Sequence, residues 1–380
     1  MSAKINKGLV LSGGGARGAY QVGVLSAIAD IAQSAGIQEA FNIYTGVSAG
    51  AINATFLAAG ADDFVTASKG LVDLWSRLES EQVFYSDIGS IGKIGFNWVK
   101  SVSVGGMTSA TPGQALLDTA PLHQLLKDQL PFTKIQNNID NGSLKALAIT
   151  AMDYQASTAI TFVQGQKDLP DWQKSRRKSE KTQITSDHVM ASSAIPLLFP
   201  PIGVDTRYFG DGCVRNTAPC SPSIYLGSQK ILVIGVRRST QTVYESLVMQ
   251  NAKAPSIGRV LNVLLNSVML DGVELDVERL NRINSLIDEI PPAVHTNLPY
   301  KKVDVVWISP SADIGEIAAQ KNTKLPHIIR YLLKGLGSIQ ETSEIVSYLL
   351  FDPSFCTQLI EIGYEDGMRQ KEEIQKFLEA

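Results

Sequence analysis

Apolar residues fall along this chain in short runs broken by glycine-rich turns, and the first two runs set the reading. Gly8-Leu9-Val10-Leu11 leads directly into Gly13-Gly14-Gly15-Ala16-Arg17-Gly18, after which Val22, Leu25, Ile28 and Ile31 recur at helical spacing. Phe41-Asn42-Ile43-Tyr44 then leads into Gly46-Val47-Ser48-Ala49-Gly50, and a helix is predicted from Ala49 to Ala59. Strand, turn and helix follow one another twice. Short apolar strands separated by helices predict an α/β domain whose central sheet is mostly parallel and covered on both faces.

From about Asp62 to Asn141 the alternation is interrupted. Within that stretch, Ile88-Gly89-Ser90-Ile91-Gly92-Lys93-Ile94-Gly95-Phe96-Asn97-Trp98-Val99 mixes glycine with apolar residues. A lid or lipid-contact segment and an ordinary packed loop both fit it. The sheet resumes at Lys145–Met152, with Ala159–Val163 as a neighbouring strand. Lys174 to Lys181 reads as a basic surface loop, either simply solvated or suited to lipid phosphate. Ser186–Ala194 is helix-like and stopped by Ile195-Pro196, ahead of the stiff turn Phe199-Pro200-Pro201. Strands are predicted at Ile231–Val236 and Val303–Ile308, with a helical insert over about 241–290 and helices from Leu325 onward. No internal repeat is visible. The organisation expected is one main domain over 7–310, with the insert at about 62–141 as the lid candidate, and a C-terminal helical extension over 311–380.

Composition narrows this picture. With 380 residues, 44% hydrophobic and 19% charged, the chain can bury a large core and is not generally disordered. A net charge of −3 gives no basic field, so no nucleic-acid partner is expected. Cys213, Cys220 and Cys356 lack metal-ligand or disulfide-framework spacing and read as reduced thiols of a cytosol-like compartment. The N-terminal residues show no apolar signal region, and the apolar runs fall far short of the roughly 20 residues that span a bilayer. The expectation is a cytoplasmic protein whose membrane contact is peripheral.

The glycine turns carry the chemistry. Gly13, Gly15 and Gly18 fit the dinucleotide-binding pattern, but that pattern needs an acidic residue at the end of the second strand, and here the strand ends in Thr45-Gly46. The same turn also suits a nest of backbone N–H groups facing a developing oxyanion, with Gly14, Gly15 and Ala16 the natural donors. Ser48 sits on a sharp turn at a helix N-terminus, where partial positive charge favours an alkoxide-like oxygen. Flanking Gly46 and Gly50 allow the bend. A serine nucleophile needs a base. None of the four histidines, His123, His188, His295 and His327, lies just past an obvious strand. Asp211, at the end of Arg207-Tyr208-Phe209-Gly210 and followed by Gly212, is the better placed group, although an aspartate in a solvent-facing turn also fits that segment. Burial would raise its pKa, and proton transfer can accompany attack on the carbonyl.

Taken together these residues resemble the patatin-like phospholipase family. The resemblance rests on Gly13 to Gly18, on Gly46-Val47-Ser48-Ala49-Gly50 and on the segment around Asp211-Gly212. Ala191-Ser192-Ser193-Ala194-Ile195-Pro196 and Phe199-Pro200-Pro201 resemble the family's approach to its aspartate. The motifs occur in family order from residue 8 to about 235. The resemblance implies a three-layer α/β/α fold and hydrolysis of lipid acyl esters by a Ser–Asp dyad. Ser48 matches the nucleophile and Asp211 the base. Gly13, Gly14 and Gly15, with Ala16, match the oxyanion loop, and Arg17 matches the basic position beside it. Phospholipid, lysophospholipid or another acyl-ester lipid is the implied substrate, with no metal or organic cofactor. One departure stands out. The family motif continues with Gly or Ala after Asp-Gly, whereas this chain has Cys213. Two other readings stay open: a Ser-Asp-His esterase using His295 or His327, and a degenerate lipid- or protein-binding module marked by Cys213.

Overall fold

The computed structural model describes residues 5–85, 115–238, 254–291, 294–295, 298 and 300–379. β1 (Lys7–Leu11) and β2 (Ile43–Val47) are the two apolar runs, buried along nearly their whole length. α1 (Gly18–Ser34) follows the first glycine turn and α2 (Ala49–Ala59) the second. Side chains alternate across a strand. Leu9 and Leu11 accordingly join the large cluster that includes α1, while Val10 faces the opposite layer with Cys220, Val273 and Val277. The result is the expected three-layer arrangement.

The remaining strands are β3 (Ala146–Asp153), β4 (Thr158–Gly165), β5 (Gln173–Lys174), β6 (Arg177–Lys181), β7 (Ile202–Val204), β8 (Arg207–Asp211), β9 (Lys230–Ile234) and β10 (Asp304–Ile308). The described strands form one sheet in the order β10-β9-β1-β2-β3-β4-β6-β5, with the β8–β7 pair branching from β3. From β10 to β3 all neighbours are parallel, and beyond β3 the sheet turns mixed. Chain order reverses around β1, which puts the ends of β1 and β2 at a topological switch point where open α/β sheets bind ligands.

Between β2 and β3 lie α3 (Phe64–Ser76), α4 (Ala120–Gln129) and α5 (Phe132–Asp140). The lid candidate Ile88–Val99 lies outside the described residues. Next come α6 (Ser186–Ser192) and α7 (Ser221–Tyr225), then α8 (Ile257–Met269) and α9 (Asp271–Asp288) in the expected helical insert. The C-terminal part contains α10 (Ile314–Gln320), α11 (His327–Leu336), α12 (Ser343–Leu349), α13 (Pro353–Arg369) and α14 (Lys371–Glu379). α13 crosses α1 backbone to backbone. A Cβ on Gly23 would stand 2.0 Å from the Ile360 carbonyl oxygen, and one on Gly363 would stand 2.1 Å from that of Tyr20. The C-terminal helices therefore share the core of the sheet domain.

One segment departs from the sequence reading. Lys174 to Lys181 is no loop but the β5–β6 edge hairpin, turning at Arg176 with φ of 54°. Ser179 is its inward residue, with Oγ accepting the Trp172 N–H at 2.8 Å. Glu180 pairs with Arg207 at 2.5 Å, so part of the local charge is neutralised. Among the described residues no helix is long and apolar enough to cross a membrane. All three cysteines are buried and free.

Candidate active site

The sheet brings Ser48 and Asp211 together through the edge of one strand. β2 pairs with β3 as far as Val47 opposite Thr150. β8, running against β3, takes the next place along that edge, with Asp211 opposite Ala151. β2 and β8 thus point at each other. Ser48 is the first residue beyond one and Asp211 the last of the other.

Ser48 turns the chain at φ 56° and ψ −128°, a region that costs a non-glycine residue on the order of 1–3 kcal/mol. Its neighbours must be small. A Cβ on Gly46 would lie 2.2 Å from the Gly50 carbonyl oxygen, and one on Gly50 would lie 2.3 Å from that of Leu11. Ser48 immediately precedes α2, so its side chain stands at a helix N-terminus.

Three consecutive residues at the end of α6 hold this turn and the aspartate. Ser192 Oγ accepts the Ser48 N–H at 3.0 Å and donates to the Thr150 carbonyl at 2.7 Å. Ser193 Oγ donates to the Ser48 carbonyl at 3.2 Å. The Ala194 carbonyl accepts the Asp211 N–H at 2.8 Å. Thr150 also sets the turn after Asp211, because a Cβ on Gly212 would be 2.1 Å from its carbonyl oxygen. The sequence marked this segment only by resemblance. A readable signal for its role is the pair of small hydroxyl residues at the end of a helix, Ser192-Ser193.

The Asp211 side chain is fully buried. Its Oδ1 accepts the Cys213 N–H at 2.9 Å, while Oδ2 has no partner of full hydrogen-bond geometry among the described residues. Burial pushes its pKa up to about 6, opposed by the Ser48 hydroxyl and by Cys213. Burial and the Asp211 carboxylate push the Cys213 thiol well above its usual range.

The first glycine turn covers both groups. A Cβ on Gly13 would lie 2.4 Å from Cys213 Sγ and 2.9 Å from Ser48 Cβ. Gly15 has φ 57°, and a Cβ there would stand 2.3 Å from the Tyr348 carbonyl oxygen. The first internal bond of the turn runs from Arg17 N–H to the Gly14 carbonyl at 3.2 Å. Gly14, Gly15 and Ala16 stand ahead of it, where helical turns leave N–H groups unpaired. At Gly18 a Cβ would meet the Trp75 ring at 2.7 Å. Arg17 is buried rather than a free cation. It pairs with Glu344, donates from Nε to Ser347 Oγ at 2.7 Å, and lies 5.0 Å from the Tyr348 ring centre. The glycine turn is thereby fastened to α12.

Ser48 opens onto an apolar cleft of about 600 Å³, its mouth included. Leu74, Trp75, Leu122, Leu126, Phe199 and Phe351 are among its walls. The lining is almost wholly apolar. The histidines are engaged elsewhere. His123 Nε2 is 2.9 Å from Asp187, and His188 bonds Thr185 in the first turn of α6. His295 bonds the Ile290 carbonyl at 2.8 Å, and His327 lies 2.7 Å from the Arg330 guanidinium.

A model of the patatin-like phospholipase family matches residues 9–224, more than half of the 380-residue chain. Among solved structures the chain is similar to VipD from Legionella pneumophila (15% identity, 98% of this chain and 68% of that one, TM-score 0.35). It is also similar to the type III effector ExoU of Pseudomonas aeruginosa (13% identity, 98% and 54%, TM-score 0.35). A third is human GIVD cytosolic phospholipase A2 in complex with methyl gamma-linolenyl fluorophosphonate (12% identity, 99% and 58%, TM-score 0.42). The chain thus spans between 54% and 68% of the length of these three proteins.

Proposed function

The chain belongs to the patatin-like phospholipase family, and from that premise we propose that it is a serine lipid acyl hydrolase working through a Ser48–Asp211 dyad. The observation that carries this reading is a strained serine turn that opens onto an apolar cleft and lies beside the strand end that carries a fully buried aspartate. Ser48 Oγ attacks the ester carbonyl of a phospholipid, lysophospholipid or other acyl-ester lipid while its proton passes to Asp211 Oδ2. N–H groups of the Gly13–Ala16 turn, foremost Gly14 and Gly15, hold the tetrahedral oxyanion. Collapse expels the alcohol, which takes the proton from Asp211, and leaves Ser48 acylated. Asp211 then draws a proton from water, whose oxygen attacks the acyl carbonyl. The second collapse frees the fatty acid and returns a proton to Ser48.

The acid–base step needs an aspartate closer to neutrality than usual, and a pKa raised to about 6 by burial supplies it. The cleft takes the acyl chain. Gly18, Gly46, Gly50 and Gly212 shape the turns, and Arg17 anchors the glycine turn. Cys213 fills the space that the family leaves to Gly or Ala, and its backbone N–H still bonds Asp211. In domain terms, residues 7–310 form the acyl-hydrolase unit, and 311–380 form an extension that buttresses the glycine turn through Glu344 and Ser347. A histidine-based esterase gains no support from His295 or His327, whose bonds are to Ile290 and Arg330. The test is lipid-product mass spectrometry of wild type, Ser48→Ala and Asp211→Asn on a mixed lipid panel. Both variants lose hydrolysis, and full activity in either one overturns the dyad.

A further inference from the structure

α8 has apolar residues on its inner and its outer face. On its inner face Leu261 and Leu265 pack on the core and Met269 joins it. Its outer stripe of Ile257, Val260, Val263, Leu264 and Val268 stands in solvent, with Ile257 69% and Leu264 56% exposed. Asn262 is buried on the inner side instead, and its Oδ1 has no partner among the described residues. A contiguous exposed apolar stripe of this kind marks an interaction surface. α11 touches α8, since a Cβ on Gly258 would lie 3.0 Å from the Leu336 carbonyl oxygen. It too shows apolar residues, Tyr331 at 75% and Leu332 at 40% exposure.

Charge identifies the partner. α8 carries Arg259, and α11 carries Arg330 and Lys334; neither helix has an acidic residue. Arg330 bonds only the Thr323 carbonyl and His327, and none of the three cations meets a carboxylate among the described residues. A twofold contact of this face with itself would bring three cations from each copy together with no acidic residue on either helix to meet them. An anionic bilayer surface satisfies both the apolar stripe and the cations.

We propose that the α8–α11 face seats this protein on anionic membranes, with the outer stripe in the acyl boundary and Arg259, Arg330 and Lys334 at the headgroup phosphates. This deepens the reading of the chain as a lipid acyl hydrolase and rests on it. α8, with 13 residues, is about 20 Å long and lies in the surface rather than crossing the roughly 30 Å core. Val268 of the outer stripe also lines a narrow crevice with Gly13 and Cys213. The seated face therefore ends beside the glycine turn, close to where a lipid would be cleaved.

The experiment is vesicle co-sedimentation of the full chain, using phosphatidylcholine vesicles with and without phosphatidylglycerol, beside hydrolysis of a soluble short-chain ester. Wild type binds the anionic vesicles more tightly. Val260→Asp/Leu264→Asp, with both changes on exposed positions, weakens vesicle binding roughly 100-fold, as expected for two aliphatic side chains kept in water. Arg259→Glu/Lys334→Glu removes the preference for anionic vesicles. Both double variants keep soluble-ester activity. Equal vesicle binding by wild type and the Val260/Leu264 variant overturns the proposal, as does a wild-type dimer that this variant dissociates without any change in vesicle binding. If wild type cleaves no ester, the hydrolase reading fails, while the sedimentation still decides the docking face.

Discussion

Replacing Asp211 by asparagine should stabilise the fold at neutral pH while abolishing hydrolysis. The carboxyl has an ordinary pKa of 3.8 in an unfolded chain and about 6 in the folded protein, because burial disfavours its charged form. The gap corresponds to about 3 kcal/mol of folding free energy. The sign follows from proton uptake. Between the two pKa values the folded state holds the proton more tightly than the unfolded state. This contribution to stability is therefore fully present below 3.8 and is lost as pH rises through about 6. An asparagine amide cannot ionise, so the Asp211→Asn variant does not undergo that loss. The amide oxygen can still accept the Cys213 N–H, which lies 2.9 Å from Oδ1 in the wild type, and the amide nitrogen takes the place of Oδ2. Whatever those changes cost is independent of pH. Urea unfolding of both proteins from about pH 4 to about pH 7.5 isolates the titration, because every other ionising group cancels in the difference. The stability difference should grow by roughly 2 kcal/mol across that range in favour of the variant. Two parallel stability curves would refute the argument that Asp211 is buried at a cost in charge.

Three further outcomes test the site. The kcat/KM of wild type should fall as one proton binds below about pH 6, since Asp211 must be ionised to accept the serine proton. In Cys213→Ala that limb should move to higher pH, because a group that favours the carboxylate is gone, and a flat profile between about pH 5 and about pH 8 would sink the base assignment. Ser192→Ala should lower kcat by roughly 10- to 100-fold with little change in KM, through misplacement of the Ser48 turn. Ser223→Ala, which breaks the buried Ser223–Ser228 hydroxyl pair at 2.7 Å, is the control that should leave kcat unchanged. Gly13→Ala should cost more than about 100-fold, as its Cβ cannot fit between Cys213 Sγ and Ser48 Cβ; near-normal fluorophosphonate labelling of this variant would contradict the packing.

The two strand–turn–helix units were legible because their signals are local. Short apolar runs, glycines and the stripe from Val22 to Ile31 sit within a few residues of each other, and β1, α1, β2 and α2 follow them closely. Asp211 was legible as a residue type beside a glycine, but its meeting with Ser48 depends on β8 replacing β2 along β3, a long-range pairing that no local pattern encodes. Arg17 stood in the motif, yet its partners Glu344 and Ser347 lie far along the chain in a helix with no marked signature. The β5–β6 hairpin escaped for a different reason. Its strands lie at the sheet edge with polar residues on both faces, so Lys174 to Lys181 lacks the alternation that marks a half-buried strand.

What the sequence concealed is also where the fold carries its local costs. The Ser48 backbone conformation is unfavourable by on the order of 1–3 kcal/mol, and the Asp211 burial adds about 3 kcal/mol at neutral pH. Both costs fall within one contact of the Ser192–Ala194 segment, whose three bonds to Ser48 and Asp211 each contribute roughly 0.5–1.5 kcal/mol. The segment offsets the strain and fixes the geometry at the same time. Ser192→Ala and Asp211→Asn should therefore both impair function while moving stability in opposite directions at neutral pH. A general loosening of the fold could not produce that pair of results, because it would lower stability in both variants. Opposite shifts in the two urea midpoints, with activity reduced in each, would mark the strain as local to the site and held there by α6.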